Sequence, residues 1–292
     1  MKLGLHLNDF DWEGGAQRFA ATLGAIARAG EEAGFDRIGV ADHFWRSYYM
    51  GSVDGPELEC YTTLGFLAAS TRRVKLTAMV TAVSYREPGL LAKIVTTLDV
   101  LAGGRGWLGI GAGDYEAEAH GLGLPFPPLK ERFERLEETL QICLQMWSGE
   151  HGEDRGFQGK HFHLERTLNA PQSLARPHPP ILLGGSGEKT LRLVARYADA
   201  CNIRPGPDIP QKLEMLRRFC DEEQRDYDAI EKTCPFAFDV GEDGSKVGEL
   251  LGRLRWMARM GIQTVIGFVP HVDRITPLEI IGREVIPAVA DI

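Results

Sequence analysis

The sequence predicts an α/β fold, a single closed (β/α)8 (TIM) barrel spanning residues 1–292, and three observations lead to it. Short apolar runs alternate with amphipathic helical runs almost from end to end. The apolar runs are continuous rather than alternating with polar residues, which is the pattern of parallel strands covered on both faces. Eight such strand–helix units fit the 292 residues with one insertion, at 148–180, between the fourth and fifth units. Strands separated by helices require right-handed crossovers and a parallel sheet, and no linker divides the chain.

The first strand is read at residues 3–7. The helix after it buries Phe19, Leu23, Ile26, Ala27 and Gly30, which recur at helical spacing, and Gly34 supplies its stop. A second strand covers 37–41, and a helix around 63–69 leads to a third strand at 74–80. Next come a helix over 89–101 and a fourth strand at 106–111. The strongest helix covers 130–147, where Phe133, Leu136, Leu140, Cys143 and Trp147 recur at three- and four-residue steps and Gly149 closes it.

Residues 148–180 break the alternation. They are rich in Gly, His and Pro, carry a β-like stretch at 159–164, and are expected to fold back over the barrel mouth. The fifth strand follows at 181–183 with a helix over 190–197. A sixth strand at 199–203 precedes a helix with Leu213, Leu216 and Phe219 on one face. The seventh is read at 235–240, before a helix with Val247, Leu250, Leu254 and Met257 that stops at Gly261. The eighth is read at 264–269.

Composition excludes several classes. A net charge of −8 lacks the basic stripe of a nucleic-acid binder. No apolar run approaches the ~18 residues needed to span a bilayer, and the amino-terminal residues enter a strand without a signal-peptide core. A cytoplasmic protein without membrane or nucleic-acid partners is expected. The five cysteines form no CxxC, so neither a zinc knuckle nor a disulfide framework is indicated.

Active sites of such barrels lie at the carboxyl ends of the strands. The first strand brings His6 and Asn8 there, and the second brings Asp42, His43 and Trp45. The third brings Ala78, Met79 and Thr81, and the fourth Gly111, Ala112, Gly113, Asp114 and Glu116. The fifth brings Gly184, Gly185, Ser186 and Gly187, and the eighth Phe268 and His271. An Asp42–His43 pair can hold a cofactor and move a proton, although a strand-end histidine is also a common core residue. The turn 183–190 opens a helix, so its glycines and free amides suit an anion; a plain strand-to-helix turn is the alternative. It lacks the spacing of a Walker loop, and Gly109, Gly111 and Gly113 lack that of a dinucleotide fingerprint. His161 and His163 alternate as metal ligands can, but no carboxylate cluster accompanies them, and no metal is expected.

With these residues in view, the chain resembles the luciferase-like monooxygenase superfamily, and within it the deazaflavin-dependent branch. The stretches that carry the resemblance are 32–36 leading to Asp42-His43-Phe44-Trp45, then 77–81 with Tyr85-Arg86-Glu87-Pro88. They continue through 97–99 with 103–105, 108–113, 131–138, 180–185 and 198–200. The resemblance implies a barrel that binds coenzyme F420 or, alternatively, FMN. It implies that His43 faces the reactive ring edge with Asp42 beside it. Ala78 and Met79 match a third-strand bulge whose non-proline cis peptide buttresses the ring. Gly184 and Gly185, with Ser186 next to them, match the amides that receive the phosphate. Ala112 matches a fourth-strand position that often carries a hydroxyl in relatives, with Gly113 after it among the cofactor contacts, and Asp114 aligns with a position that carries a catalytic acid in some relatives and an aromatic in others.

The function expected is hydride transfer between deazaflavin and a small organic substrate, with His43 as proton donor and His6 among the cofactor contacts. Trp45, Tyr48, Tyr49 and the insertion are expected on the substrate side, and Lys189, Arg192 and Arg46 as cations for the acidic cofactor tail. An FMN-dependent monooxygenase working with a separate reductase, a non-catalytic flavin-binding subunit and a metal-dependent barrel hydrolase are the alternatives. A homodimer is compatible with the sequence, which names neither the oligomer nor the substrate.

Overall fold

The structure, a computed structural model, describes residues 1–47 and 50–292. Tyr48 and Tyr49, expected on the substrate side, lie outside the described residues. Parallel strands β1 (Lys2–Leu7), β2 (Arg37–Val40), β3 (Lys75–Ala78), the two-residue β4 (Thr81–Ala82) and β5 (Gly106–Gly111) form the first half of the sheet. After a small antiparallel pair, β6 (Phe157–Gln158) and β7 (His163–Leu164), come β8 (Ile181–Gly184), β9 (Ala200–Asn202), β10 (Glu231–Ala237) and β11 (Thr264–Phe268). The order β3-β2-β1-β11-β10-β9-β8-β5 closes on itself through Leu76 opposite Gly106 and Thr77 opposite Trp107. This is the expected (β/α)8 barrel.

The helices α1 (Phe19–Ala33), α2 (Cys60–Ser70), α3 (Pro88–Leu101), α4 (Glu116–Gly121) and α5 (Leu129–Trp147) belong to the first half. α6 (Glu188–Tyr197), α7 (Ile209–Glu222), α8 (Val247–Arg259), α9 (Thr276–Ile280) and α10 (Ile286–Val289) follow. Each long helix turns its apolar stripe inward; α5 buries Leu136, Leu140, Cys143 and Trp147. No described helix is long and apolar enough to cross a membrane.

β3 and β4 are one strand interrupted at Met79–Val80, whose peptide bond is cis. The resemblance attached that bond to the Ala78–Met79 bulge, and the structure puts it one residue on. β5 runs so close to this break that a Cβ on Gly109 would sit 1.9 Å from the Ala78 carbonyl oxygen. Only glycine lets the two backbones approach so closely.

Two further expectations are corrected. The seventh strand begins at Glu231, four residues before the predicted 235. Its first turn of sequence looked polar because Lys232 and Thr233 are buried with partners: Lys232 Nζ donates to the Tyr227 carbonyl at 2.7 Å and Thr233 Oγ1 to the Cys201 carbonyl at 2.8 Å. Pro235 is tolerated because β9 pairs with β10 only as far as Thr233, so its missing N–H would have faced no strand. The insertion, in turn, does not cover the mouth. It leaves α5 at Trp147 and enters β8 at Ile181, both at the amino-terminal end of the barrel, and climbs the outside of α3 and α5. There Thr167 meets Gln145 (2.9 Å), Gln172 donates to the Met146 carbonyl (2.8 Å), and Glu138 receives the Lys160 and Phe162 amides (2.7 and 3.0 Å). A segment joining a helix to the next strand starts and ends at the face opposite the strand carboxyl ends, which is why it stays away from the site.

That opposite face is sealed by Arg37, which is fully buried. Its guanidinium meets Asp36 at 2.9 Å and Glu231 at 2.6 Å and lies 4.7 Å over the Trp107 ring. Asp99, also fully buried, pins the insertion by accepting from the amides of Leu174 (2.6 Å), Ala175 (3.0 Å) and Gly106 (3.2 Å). Asp99→Ala would strand three amides and should cost about 3 kcal/mol. Urea melts test this, with early proteolysis expected within 170–176.

Candidate functional site

At the carboxyl ends of the strands lies a cavity of about 480 Å³. One end is formed by Asp42 and His43, just past β2, with Tyr85 beside them. Met79, Val80, Ala112 and Gly113 form the middle, and Gly184, Gly185, Ser186, Gly187 and Thr190 close the other end. The ends of β2, β4, β5 and β8 therefore meet around one space, as the strand-end reading required. Ala78 lies behind the wall, fully buried, and does not line the cavity.

The acid that holds His43 is not Asp42. Nδ1 of His43 is 3.1 Å from Oε2 of Glu118 on α4, and Oε1 of the same carboxylate accepts the amides of Phe44 (2.7 Å) and Trp45 (2.8 Å). The Tyr85 hydroxyl donates to Oε2. Glu118 is fully buried. Burial alone would raise its pKa, but the hydrogen bonds from His43, Tyr85 and the Trp45 amide hold it below the usual carboxylate range. Burial likewise pulls His43 down, and the Glu118 hydrogen bond and charge, with Asp114 and Asp42 behind them, outweigh it and raise its pKa. Because Nδ1 is committed to Glu118, Nε2 is left for a ligand in the cavity.

Asp42 is committed elsewhere. Its two oxygens take Nη1 and Nη2 of Arg86 at 2.5 and 3.0 Å, and Arg86 also meets Glu59 at 2.6 Å and stacks 4.6 Å over Tyr61. Successive side chains of extended backbone diverge, so the neighbouring acid and imidazole found different partners. The Asp42–Arg86 pair fixes the β2 end against the β4–α3 loop. His6 stands behind His43 with its Nε2 buried and unpartnered; burial, and then the nearby His43, lower it to about 4, so it is neutral at pH 7.

Several expected residues are placed differently. Trp45 packs its ring against Gly121 of α4, where a Cβ would fall 2.0 Å from it, and it does not line the cavity. Asp114 lines the cavity but is 63% exposed, with Arg204 at 3.7 Å. His271 lines a separate pocket with Asp239 and Lys246. His161 is tied to Glu134 at 2.8 Å, and no metal-holding group of three or more ligands occurs among the described residues.

At the glycine end, Gly185 has φ +125° and its N–H donates to the Asn202 carbonyl at 3.1 Å, so that amide is not available to a phosphate. A Cβ here would meet Thr190 Oγ1 at 3.0 Å. The amides open to an anion are instead the first ones of α6, from Glu188 to Thr190, which have no carbonyl behind them in the helix. Of the expected cations, Arg192 is paired with Glu222 at 2.8 Å and Arg46 with Asp9 at 2.9 Å. Arg204, 74% exposed on the cavity wall, is the cation that sequence reasoning missed. Glu118, too, was missed, because it sits on a helix of only 6 residues, whose periodicity is too short to read.

Glu118→Gln retains an oxygen for the two amides but removes the charge. The His43 pKa should then fall below its ordinary value of 6.5, since burial persists without its counter-charge. Histidine NMR titration measures this; an unchanged midpoint would contradict the assignment of Glu118 as the controlling partner.

Residues 3–275 match the luciferase-like monooxygenase family. Among curated proteins, an F420-dependent glucose-6-phosphate dehydrogenase of Kineococcus radiotolerans is 30% identical over 248 residues, covering 82% of this chain and 70% of that protein. Matches to three further proteins of that name cover 54%, 53% and 57% of their lengths. In structure, an F420-dependent secondary alcohol dehydrogenase bound to an F420–acetone adduct superposes with a TM-score of 0.81 at 17% identity, over 99% of this chain and 98% of the other. A monooxygenase from Streptomyces bottropensis superposes with a TM-score of 0.80 at 17% identity, over 98% and 99%. With nearly the whole barrel matched, from β1 past β11, the chain belongs to the luciferase-like monooxygenase family.

Proposed function

We propose that the protein is a coenzyme F420-dependent oxidoreductase acting on a small organic substrate. The observation that carries this reading is the build of the cavity: a proton-holding imidazole at one end and helix-start amides at the other. The sequence kinship to proteins named F420-dependent selects the deazaflavin over FMN. The residues fit such a group. Gly113 and Gly185 take left-handed backbone on the cavity wall, where a Cβ would press on Ala82 and Thr190, Met79 and Val80 supply an apolar wall, and the first amides of α6 with Arg204 suit a phosphate.

When bound, the deazaflavin supplies the two-electron hydride chemistry. The chain's own residues supply position and the proton. The Glu118 carboxylate fixes the ring of His43 and keeps Nε2 protonated to higher pH than an isolated histidine would be, so it can donate to a developing oxyanion or take a proton back. Tyr85 and the buried Asp42–Arg86 pair keep that carboxylate and the β2 end in place. Asp114, exposed and near Arg204, suits an electrostatic role at the rim.

Fluorescence titration should show F420 binding more tightly than FMN. Equal or reversed affinities would favour the FMN monooxygenase reading. Gly185→Val should weaken F420 binding and also lower the melting temperature, because a β-branched residue is strained at φ +125° and its added carbons press on Thr190 at the phosphate end. His43→Ala should keep most of the F420 affinity and lower turnover by about 10²–10⁴-fold, the usual loss for a positioned proton donor. A variant that melts early yet retains its activity would mark His43 as a structural residue.

A further inference from the structure

The glycine end of the cavity holds a donor that neither α6 nor the rim supplies. Asn202, the last residue of β9, lines the cavity beside Gly184, its partner in register, and its carbonyl takes the Gly185 amide at 3.1 Å. The side chain is held by the neighbouring strand. Its Oδ1 lies 2.9 Å from the hydroxyl of Thr233 on β10, a fully buried residue whose one proton is shared with the Cys201 carbonyl at 2.8 Å. With Oδ1 occupied, Nδ2 is the amide atom left to the cavity, and nothing among the described residues accepts from it.

Arg204, two residues on, lines the same cavity but is 74% exposed. Thr233, Asn202 and Arg204 thus run from core to rim as a buried hydroxyl, a fixed neutral donor and an exposed cation. Holding Oδ1 removes the freedom of the amide to turn. Nδ2 therefore offers a donor that need not be ordered when a ligand arrives.

We propose that Asn202 is the deep phosphate-reading residue of this site: Nδ2 donates to a phosphate oxygen of the ligand, and Thr233 is the positioning residue that aims it. The inference rests on reading the glycine end as the seat of the cofactor phosphate. The first amides of α6, the Arg204 guanidinium and this amide nitrogen then converge there, and they differ in kind. Arg204 attracts any anion and is screened by salt. A neutral amide responds to an acceptor only at hydrogen-bond distance. Asn202 accordingly sets which ligands are retained, those that carry the phosphate, and contributes little to how fast anions arrive.

Riboflavin and FMN share the ribityl chain and differ by the phosphate, so fluorescence titration of both, together with F420, reads the assignment. Asn202→Leu should weaken FMN and F420 by about 10–100-fold, the range for losing a hydrogen bond to a charged group, and leave riboflavin within about twofold. Thr233→Val should weaken FMN and F420 in the wild-type background and have no further effect in Asn202→Leu. A merely structural loss would lower all three ligands in both backgrounds. Equal losses for riboflavin and FMN would assign Nδ2 to a ribityl hydroxyl and overturn the proposal, as would wild-type affinities in Asn202→Leu. The cofactor-free chain gives a reading that does not depend on the flavin. With isotope-labelled asparagine, the Nδ2 signal, identified by its loss in Asn202→Leu, should shift on adding inorganic phosphate and hold still in chloride of equal ionic strength. If F420 and FMN both fail to bind while phosphate moves that signal, the deazaflavin reading falls and the phosphate site stands. A signal indifferent to phosphate overturns the proposal.

Discussion

The mouth of this barrel is organised around one buried negative charge. Glu118 receives an imidazole, a phenol and two backbone amides, and these come from the end of β2 and the loop after β4. A carboxylate without such donors would not remain ionised in so buried a place. With them, it fixes where the chain goes after β2, which way His43 faces and where Tyr85 stands. α4 exists to present that one side chain, and Trp45 closes over Gly121 to keep it dry.

The same arrangement is repeated with opposite sign at the two ends of the barrel. At the mouth, Arg86 is a partly buried cation shared by Asp42 and Glu59, stacked on Tyr61. At the floor, Arg37 is shared by Asp36 and Glu231 and stacked on Trp107. Both cations tie strands or loops distant in sequence, and in both an aromatic face takes the place of water above the guanidinium. Buried pairs of this kind are costly to break from one side only. They make the register of the ring specific in a way that apolar packing between similar strands does not.

The barrel itself could be read from the sequence because its evidence is periodic and long. Continuous apolar strands and helices such as α5 carry many residues that repeat the same statement. The glycines at 184–187 and the placement of His43 at a strand end could be read for the same reason: they sit at fixed offsets from strands. What could not be read depends on partners far away in the chain. Asp42 beside His43 in sequence suggested a pair, yet the partners are 44 and 75 residues distant, Arg86 and Glu118. Lys232 and Thr233 hid the start of β10 because a buried lysine reads as surface until its carbonyl acceptor is known. The insertion was placed at the mouth from composition alone, when its attachment to a helix end already fixed it to the other face.

That attachment separates two histories within one chain. Residues 148–180 brace α3 and α5 from outside and touch none of the cavity wall. Substitutions accumulating there would be filtered by how well the outer helices are clasped, while those between β2 and α2 would be filtered by chemistry. Divergence between relatives in the first segment would therefore record changes in rigidity or assembly. Changes at the cavity would be recorded instead around Asp42 and His43, so whole-chain similarity blends two clocks that run under different constraints.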